Sequence, residues 1–174
     1  RIAINVTAIG RIARAKVKYR SGARENDIVY VTGYLGDSAQ GLLDIRSGVY
    51  DSPFIAVHHD PHPCVNEGIW LGNQPEVHAM MDISDGLASD LPHILEESET
   101  GAEISIERIP TRTTVELAVT GGEDYQLLLT VGAEAADRIA AEYVRHFGKP
   151  LYGIGRIRSG APDIIWSDNG EVVR

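Results

Sequence analysis

Two carboxylates three residues apart, Asp82 and Asp85, flank Ser84 in the string Met81-Asp82-Ile83-Ser84-Asp85-Gly86-Leu87. An apolar, strand-like run from Val77 to Ile83 leads into them, and a helical pattern follows from Leu87. Carboxylates at a strand-to-helix junction suit Mg²⁺, a hard cation that takes oxygen ligands and bridges to substrate phosphates. Ser84, near a helix N-terminus, is placed to donate to a phosphate oxygen beside unpaired backbone N–H groups. The plainer alternative is that Ser84 or Asp85 caps the helix. Capping occupies one of these side chains and leaves the others unexplained, so ligand binding is the preferred reading.

Three further strings could carry chemistry. Gly121-Gly122-Glu123-Asp124-Tyr125 enters a strand, with glycines that allow close backbone approach and two acids behind them; a tight turn explains the glycines equally well. Gly33-Tyr34-Leu35-Gly36-Asp37-Ser38 opens a helix but lacks the Gly-Lys-Ser/Thr ending of a phosphate loop. It reads as a strand–turn–helix connection. His58, His59 and His62 with Asp60 invite a transition metal, but the interleaved prolines and the lack of a helical i, i+4 pair argue against one. No nucleophile elbow or Ser-His-Asp order supports covalent catalysis.

The elements that must position these groups can be read from periodicity. Strands are expected at Ile2 to Ile12, Ile28 to Thr32, Val77 to Ile83, Ala102 to Glu107, Tyr125 to Val131, Leu151 to Ile157, and Asp163 to Ser167 paired with Glu171 to Val173. Asp168-Asn169-Gly170 is a hairpin turn. Helices are expected at Ala39 to Ile45 with Asp37 or Ser38 as N-cap, at Val65 to Leu71, from Leu87 with Gly101 as its stop, and at Ala133 to Phe147 with Gly148 at C′. Pro92 must bend the helix from Leu87 or fall in the first turn of one restarted at Ser89. Arg46 to Pro63 reads mostly as loop. Strands and helices mix without strict βαβ alternation, so the expected class is α+β.

Composition narrows the partners. With 25 acids against 16 bases, a net charge of −9, the 174-residue chain offers no basic footprint for nucleic acid. A phosphate ligand must be met by metal ions or a local Arg such as Arg20. Cys64 is the only cysteine, so an intrachain disulfide is excluded. No apolar run approaches the roughly 20 residues of a membrane span, and no signal peptide is visible, so a cytoplasmic location is expected.

Taken together the strings resemble thiamine-monophosphate kinase, a branch of the aminoimidazole ribonucleotide synthase-like superfamily. The resemblance rests on Arg20-Ser21-Gly22-Ala23, on Tyr30 to Gly33 with Leu35 to Ala39, on Asp82 to Leu87 with Asp90-Leu91 and His93-Ile94, on Gly121 to Tyr125, and on Ile154-Gly155-Arg156-Ile157. It implies a mixed sheet covered by helices, partly ferredoxin-like, and an ATP-dependent phosphorylation of thiamine monophosphate to thiamine diphosphate. It implies Asp82 and Asp85 as Mg²⁺ ligands, Ser84 and Arg20 as ATP contacts, and Glu123 as a contact to the phosphate substrate. It also implies that residues 1–12 are the last strand of an N-terminal ATP-binding domain, that residues 13–174 are the C-terminal α+β domain, and that the full-length protein is a homodimer. A non-catalytic binding fragment, or another ATP-dependent synthase of the superfamily, is the alternative.

Overall fold

The computed structural model describes residues 2–173. Seven strands form one sheet: β1 (Ile28–Val31), β2 (Val77–Ile83), β3 (Gly101–Ser105), β4 (Gln126–Val131), β5 (Tyr152–Arg158), β6 (Ile164–Asp168) and β7 (Glu171–Val173), in the spatial order β2-β4-β1-β5-β3-β6-β7. Every neighbouring pair is antiparallel apart from β3 with β6, which are parallel. The helices are α1 (Asp37–Arg46), α2 (Pro53–His59), α3 (Val65–Gly72), α4 (Leu87–Ser98), α5 (Val115–Thr120) and α6 (Ala136–Phe147). The expected α+β class, a mixed sheet covered by helices, is therefore the one observed.

Strand alternation divides the core between two sheet faces. Val29, Val31 and Leu128 point one way, to Leu87, Leu91, Ile94 and Leu95 of α4. Tyr30, Leu129 and Val131 point the other way, to Leu71 of α3 and Ile139 and Tyr143 of α6. The functional strings gather at one end of the sheet. There β2 ends, β4 begins, β1 ends and β5 begins, as the pairings Ile83 to Gln126 and Val31 to Tyr152 show. No helix among the described residues is long and apolar enough to cross a membrane.

Several sequence expectations need correction. Residues 2–13 form no strand within this chain, and Ile2, Ile4, Val6 and Ile9 are at least 85% exposed; a strand needs a neighbour to accept its backbone hydrogen bonds, and none among the described residues runs beside this segment. The stretch read as loop from Arg46 to Pro63 contains α2, which Ser52 caps by accepting from the Phe54 N–H, with Pro53 in the first position. Helix α5 lies where no element is expected from the sequence, and Thr114 caps it through the Leu117 N–H. Helix α4 runs unbroken through Pro92, where the burial of Leu91, Ile94 and Leu95 outweighs one missing ladder bond. Its stop is Glu99, left-handed at φ 53°, while Gly101 begins β3 where a Cβ would meet the Ala161 carbonyl at 2.7 Å. The hairpin turn is as expected, with Asn169 and Gly170 both at positive φ.

Candidate functional site

The Asp82–Gly86 loop and the Gly121–Tyr125 loop are interlocked. The Glu123 N–H donates to the Ser84 carbonyl at 2.8 Å and the Tyr125 N–H to the Ile83 carbonyl at 3.0 Å. Two glycines permit the approach. A Cβ on Gly122 would lie 2.6 Å from the Ser84 oxygen, and Gly86, at φ +105°, faces the Thr120 backbone at 2.9 Å. Glu123 and Tyr125 adopt positive φ, 67° and 50°, a conformation that costs an L residue about 1–2 kcal/mol each. Strain of this kind, held by surrounding hydrogen bonds, concentrates at ligand sites.

The capping alternative for Ser84 and Asp85 does not hold. The N-cap of α4 is Gly86, and no side chain caps the helix. Instead Asp90, 2% exposed, reaches back from the first turn and accepts from the Ser84 N–H at 2.9 Å and the Asp85 N–H at 3.0 Å. Asp90 thus folds the loop, and the side chains of Ser84 and Asp85 remain available. Asp82 and Asp85 are exposed and Ser84 is half-buried. Asp82 opens on a cavity of about 420 Å³ shared with Cys64, Tyr125 and Leu127. The two exposed carboxylates and a hydroxyl make a hard-oxygen donor set that fits Mg²⁺. Among the described residues no group of three or more His, Cys, Asp or Glu side chains is placed to hold a metal ion by itself.

Glu123 is exposed, and its carboxylate lies 3.5 Å from His58 Nδ1, which in turn is 3.0 Å from Ser38 Oγ. The structure therefore brings Asp82, Ser84, Asp85 and Glu123 to one edge. Arg20 is elsewhere. It begins a short 3₁₀ turn (Arg20–Gly22) against the far end of α4, where Glu97 lies 3.9 Å away and Ser98 Oγ donates to the Arg20 carbonyl at 2.7 Å. A 12-residue helix separates it from Ser84 by roughly 17 Å.

Sequence reasoning missed a second group beside this edge. The start of α1 is not capped by Asp37 or Ser38, because its N-cap is Gly36. The capping carboxylate is Asp124, which accepts from the Gly36 N–H at 2.6 Å and the Ser38 N–H at 3.1 Å. Burial pushes the Asp124 carboxyl above the usual aspartate range, the two N–H groups pull it back, and nearby Asp37 adds to the rise. Asp37 is itself buried and accepts from the Arg112 guanidinium, with Nε at 3.0 Å. Arg112 lies over the Tyr34 ring at 4.8 Å. Nothing in the spacing of a lone Arg in Thr111-Arg112-Thr113 announced this pairing across the fold. Of the histidines considered for metal binding, His58 is bound to Ser38 and His62 Nδ1 contacts the Asp60 carbonyl at 2.9 Å.

The chain is similar in sequence and fold to a set of known proteins. Thiamine-monophosphate kinase of Escherichia coli is 33% identical over 181 residues, covering 94% of this chain and 54% of that protein. The Bacillus subtilis thiamine-monophosphate kinase is 35% identical over 173 residues, covering 91% and 53%. The crystal structure of the Stenotrophomonas maltophilia enzyme superposes with a TM-score of 0.82 at 27% identity, covering 93% of this chain and 56% of that one. The structure of AaThiL complexed with AMPPCP and TMP gives 0.70 at 30% identity, covering 89% and 51%. The chain spans about half the length of the curated relatives it matches. Residues 24–166 match the family model for the C-terminal domain of AIR synthase related proteins, and the chain belongs to that family.

Proposed function

We propose that this chain is the C-terminal part of a thiamine-monophosphate kinase, in which ATP transfers its γ-phosphoryl group to the phosphate of thiamine monophosphate and leaves as ADP. The observation that carries the proposal is the junction at Ser84. Its two exposed carboxylates lie on a loop whose Ser84 and Asp85 N–H groups Asp90 holds and stand beside a strained Glu123, in a chain about one-third identical to named thiamine-monophosphate kinases. Asp82 and Asp85 would hold Mg²⁺, which when bound supplies positive charge between two anionic phosphates that otherwise repel. Ser84 donates its hydroxyl to a phosphate oxygen of ATP. Glu123, held toward His58, contacts the phosphate substrate. Arg20 meets ATP separately, because it and Ser84 lie too far apart along α4 to share a phosphate within one chain.

The same reading gives the full-length protein an N-terminal ATP-binding domain, of which residues 1–12 supply the last strand once that domain is present to pair with them, a homodimeric assembly and a cytoplasmic location. Phosphoryl transfer needs groups on several sides of the γ-phosphate, and positioning and electrostatic stabilisation each account for many kcal/mol of barrier. The 174-residue chain alone therefore folds without turning over. ATP consumption by the full-length protein, with and without thiamine monophosphate and against a panel of other phosphate acceptors, tests the reading. Dependence on thiamine monophosphate is the expected result. Equal turnover with an unrelated acceptor contradicts it, and robust thiamine diphosphate formation by the 174-residue chain contradicts the division of the site between domains.

A further inference from the structure

A cavity of about 440 Å³ lies between β1, β5 and the first turns of α6, a size ordinary for small-molecule sites. Small residues make the room: Ala136 and Ala140 on the helix, and Gly153 on β5, where a Cβ would stand 3.2 Å from the Tyr30 ring. The cavity shares no lining residue with the one on which Asp82 opens, and β2, which carries Asp82, is two strands away from β1. Three donors face it without acceptors. Tyr30 is 5% exposed, yet its hydroxyl bonds to no described residue. Burial raises this phenol above the ordinary tyrosine range, Asp137 adds to the rise and Arg108 opposes it, so the hydroxyl keeps its proton. Arg108, which ends the 3₁₀ turn after β3 (Ile106–Arg108), and Arg156 of β5 also line the cavity. Neither forms an ion pair among the described residues, whereas Arg20, Arg112, Arg138, Arg145 and Arg158 each do. Glu103 faces Arg156 across the ladder without closing one.

The charge of this wall runs against that of the chain. In a protein of net charge −9 it sets two guanidinium groups against one lining carboxylate, Asp137. The N-cap of the 12-residue α6, Ala135, supplies no side-chain cap, so the positive end of the helix adds to the same field. An anion that accepts from guanidinium groups on two elements and from a hydroxyl needs lone pairs in several directions, which a phosphate offers. Asp137 repels a bare anion but accepts from a hydroxyl placed beside it. We infer that this cavity binds a small hydroxylated phosphate ester, with Arg108, Arg156 and the Tyr30 hydroxyl donating to the phosphate and Asp137 accepting from a hydroxyl of the ester. The ligand supplies the acceptor that the buried Tyr30 hydroxyl lacks. The site is separate from the Asp82 junction and stands whether or not the kinase reading does.

The test is calorimetric titration of the full-length protein with ribose 5-phosphate and, separately, with inorganic phosphate. Excess chelator is present, so that no divalent cation bridges either probe to Asp82 and Asp85. Arg108→Gln combined with Arg156→Gln removes two charges from exposed, unpaired side chains. Tyr30→Phe keeps the buried ring and deletes only the unbonded hydroxyl. Ribose 5-phosphate should bind the wild type, at least about tenfold more weakly the double arginine variant, which loses its charge-assisted hydrogen bonds, and about threefold more weakly Tyr30→Phe, which loses one neutral donor. The wild type should prefer the ester to inorganic phosphate, and Asp137→Asn should lose that preference. No binding by the wild type, unchanged affinity in the double arginine variant or in Tyr30→Phe, equal affinity for the two probes, or a preference that survives Asp137→Asn overturns the inference.

Discussion

Two junctions of this chain are built from the same residue types and put to opposite uses. At the start of α4, Gly86 follows Ser84 and Asp85; at the start of α1, Gly36 precedes Asp37 and Ser38. Both helices have glycine N-caps in positive-φ conformations and no side-chain cap of their own. Each is tied down by a carboxylate: Asp90 of α4's own first turn accepts from the preceding Ser84 and Asp85 N–H groups, and Asp124 from across the sheet accepts from the Gly36 and Ser38 N–H groups. The surroundings then separate them. Asp37 and Ser38 are buried, bound to Arg112 and His58, whereas Asp82 and Asp85 are exposed. A carboxylate at a helix start is therefore no guide to ligand binding by itself. What matters is which group takes the backbone N–H donors and what remains to satisfy the side chain.

That contrast breaks most visibly at the exposed junction. Asp82→Asn and Asp85→Asn in the full-length protein should each lower kcat by about a hundredfold or more, the several kcal/mol carried by a metal-bridging carboxylate. Their melting temperatures should stay near wild type, since surface changes of this kind alter stability by about 0.5 kcal/mol or less. Asp124→Ala should do the reverse at the other junction. It strands the Gly36 and Ser38 N–H groups and should cost about 2–3 kcal/mol, read from denaturant midpoints. Gly86→Ala should cost about 2 kcal/mol, because a Cβ there meets the Thr120 backbone at 2.9 Å and φ is +105°. Ser84→Ala should reduce kcat/KM for ATP by about tenfold, the worth of one hydrogen bond to a charged group.

The smallest effect is a pH dependence. Burial raises the Asp124 carboxyl above its ordinary value of 3.8, so the folded chain binds that proton more tightly than the unfolded one. Its contribution to stability is present below 3.8 and lost as pH rises through the raised folded value. Stability measured for wild type relative to Asp124→Asn should therefore fall as pH increases through that window. A difference that rises with pH would show the two N–H groups to outweigh burial.

The sequence carried the exposed junction better than the buried one. Met81 to Leu87 was legible because strand periodicity, a glycine and a helical stripe meet there, and because Asp82 and Asp85 keep their side chains outside the core. The Asp37–Arg112 and Asp124–Gly36 contacts join residues 75 and 88 positions apart, which no local pattern encodes. Helix α2 was hidden by its histidines and by the prolines that follow it, although Ser52 before Pro53 is a start signal that could have found it. The segment Ile2 to Ile12 is unpaired within this chain for a related reason: apolar content proposes a strand, but only a neighbour can complete one. Arg20 matched a string, yet the turn that carries it packs on the wrong end of α4 to meet Ser84.

The central claim is that Asp82 and Asp85, and not the equally acidic α1 junction, hold the metal. The direct measurement is the Mg²⁺ dependence of thiamine diphosphate formation by the full-length wild type, Asp82→Asn, Asp85→Asn and Asp37→Asn at saturating ATP and thiamine monophosphate. Half-saturating Mg²⁺ should rise at least about tenfold for the first two variants, the loss of one charged ligand, and stay at the wild-type value for Asp37→Asn. Near-wild-type turnover of Asp85→Asn at limiting Mg²⁺, or a shift confined to Asp37→Asn, would contradict the assignment.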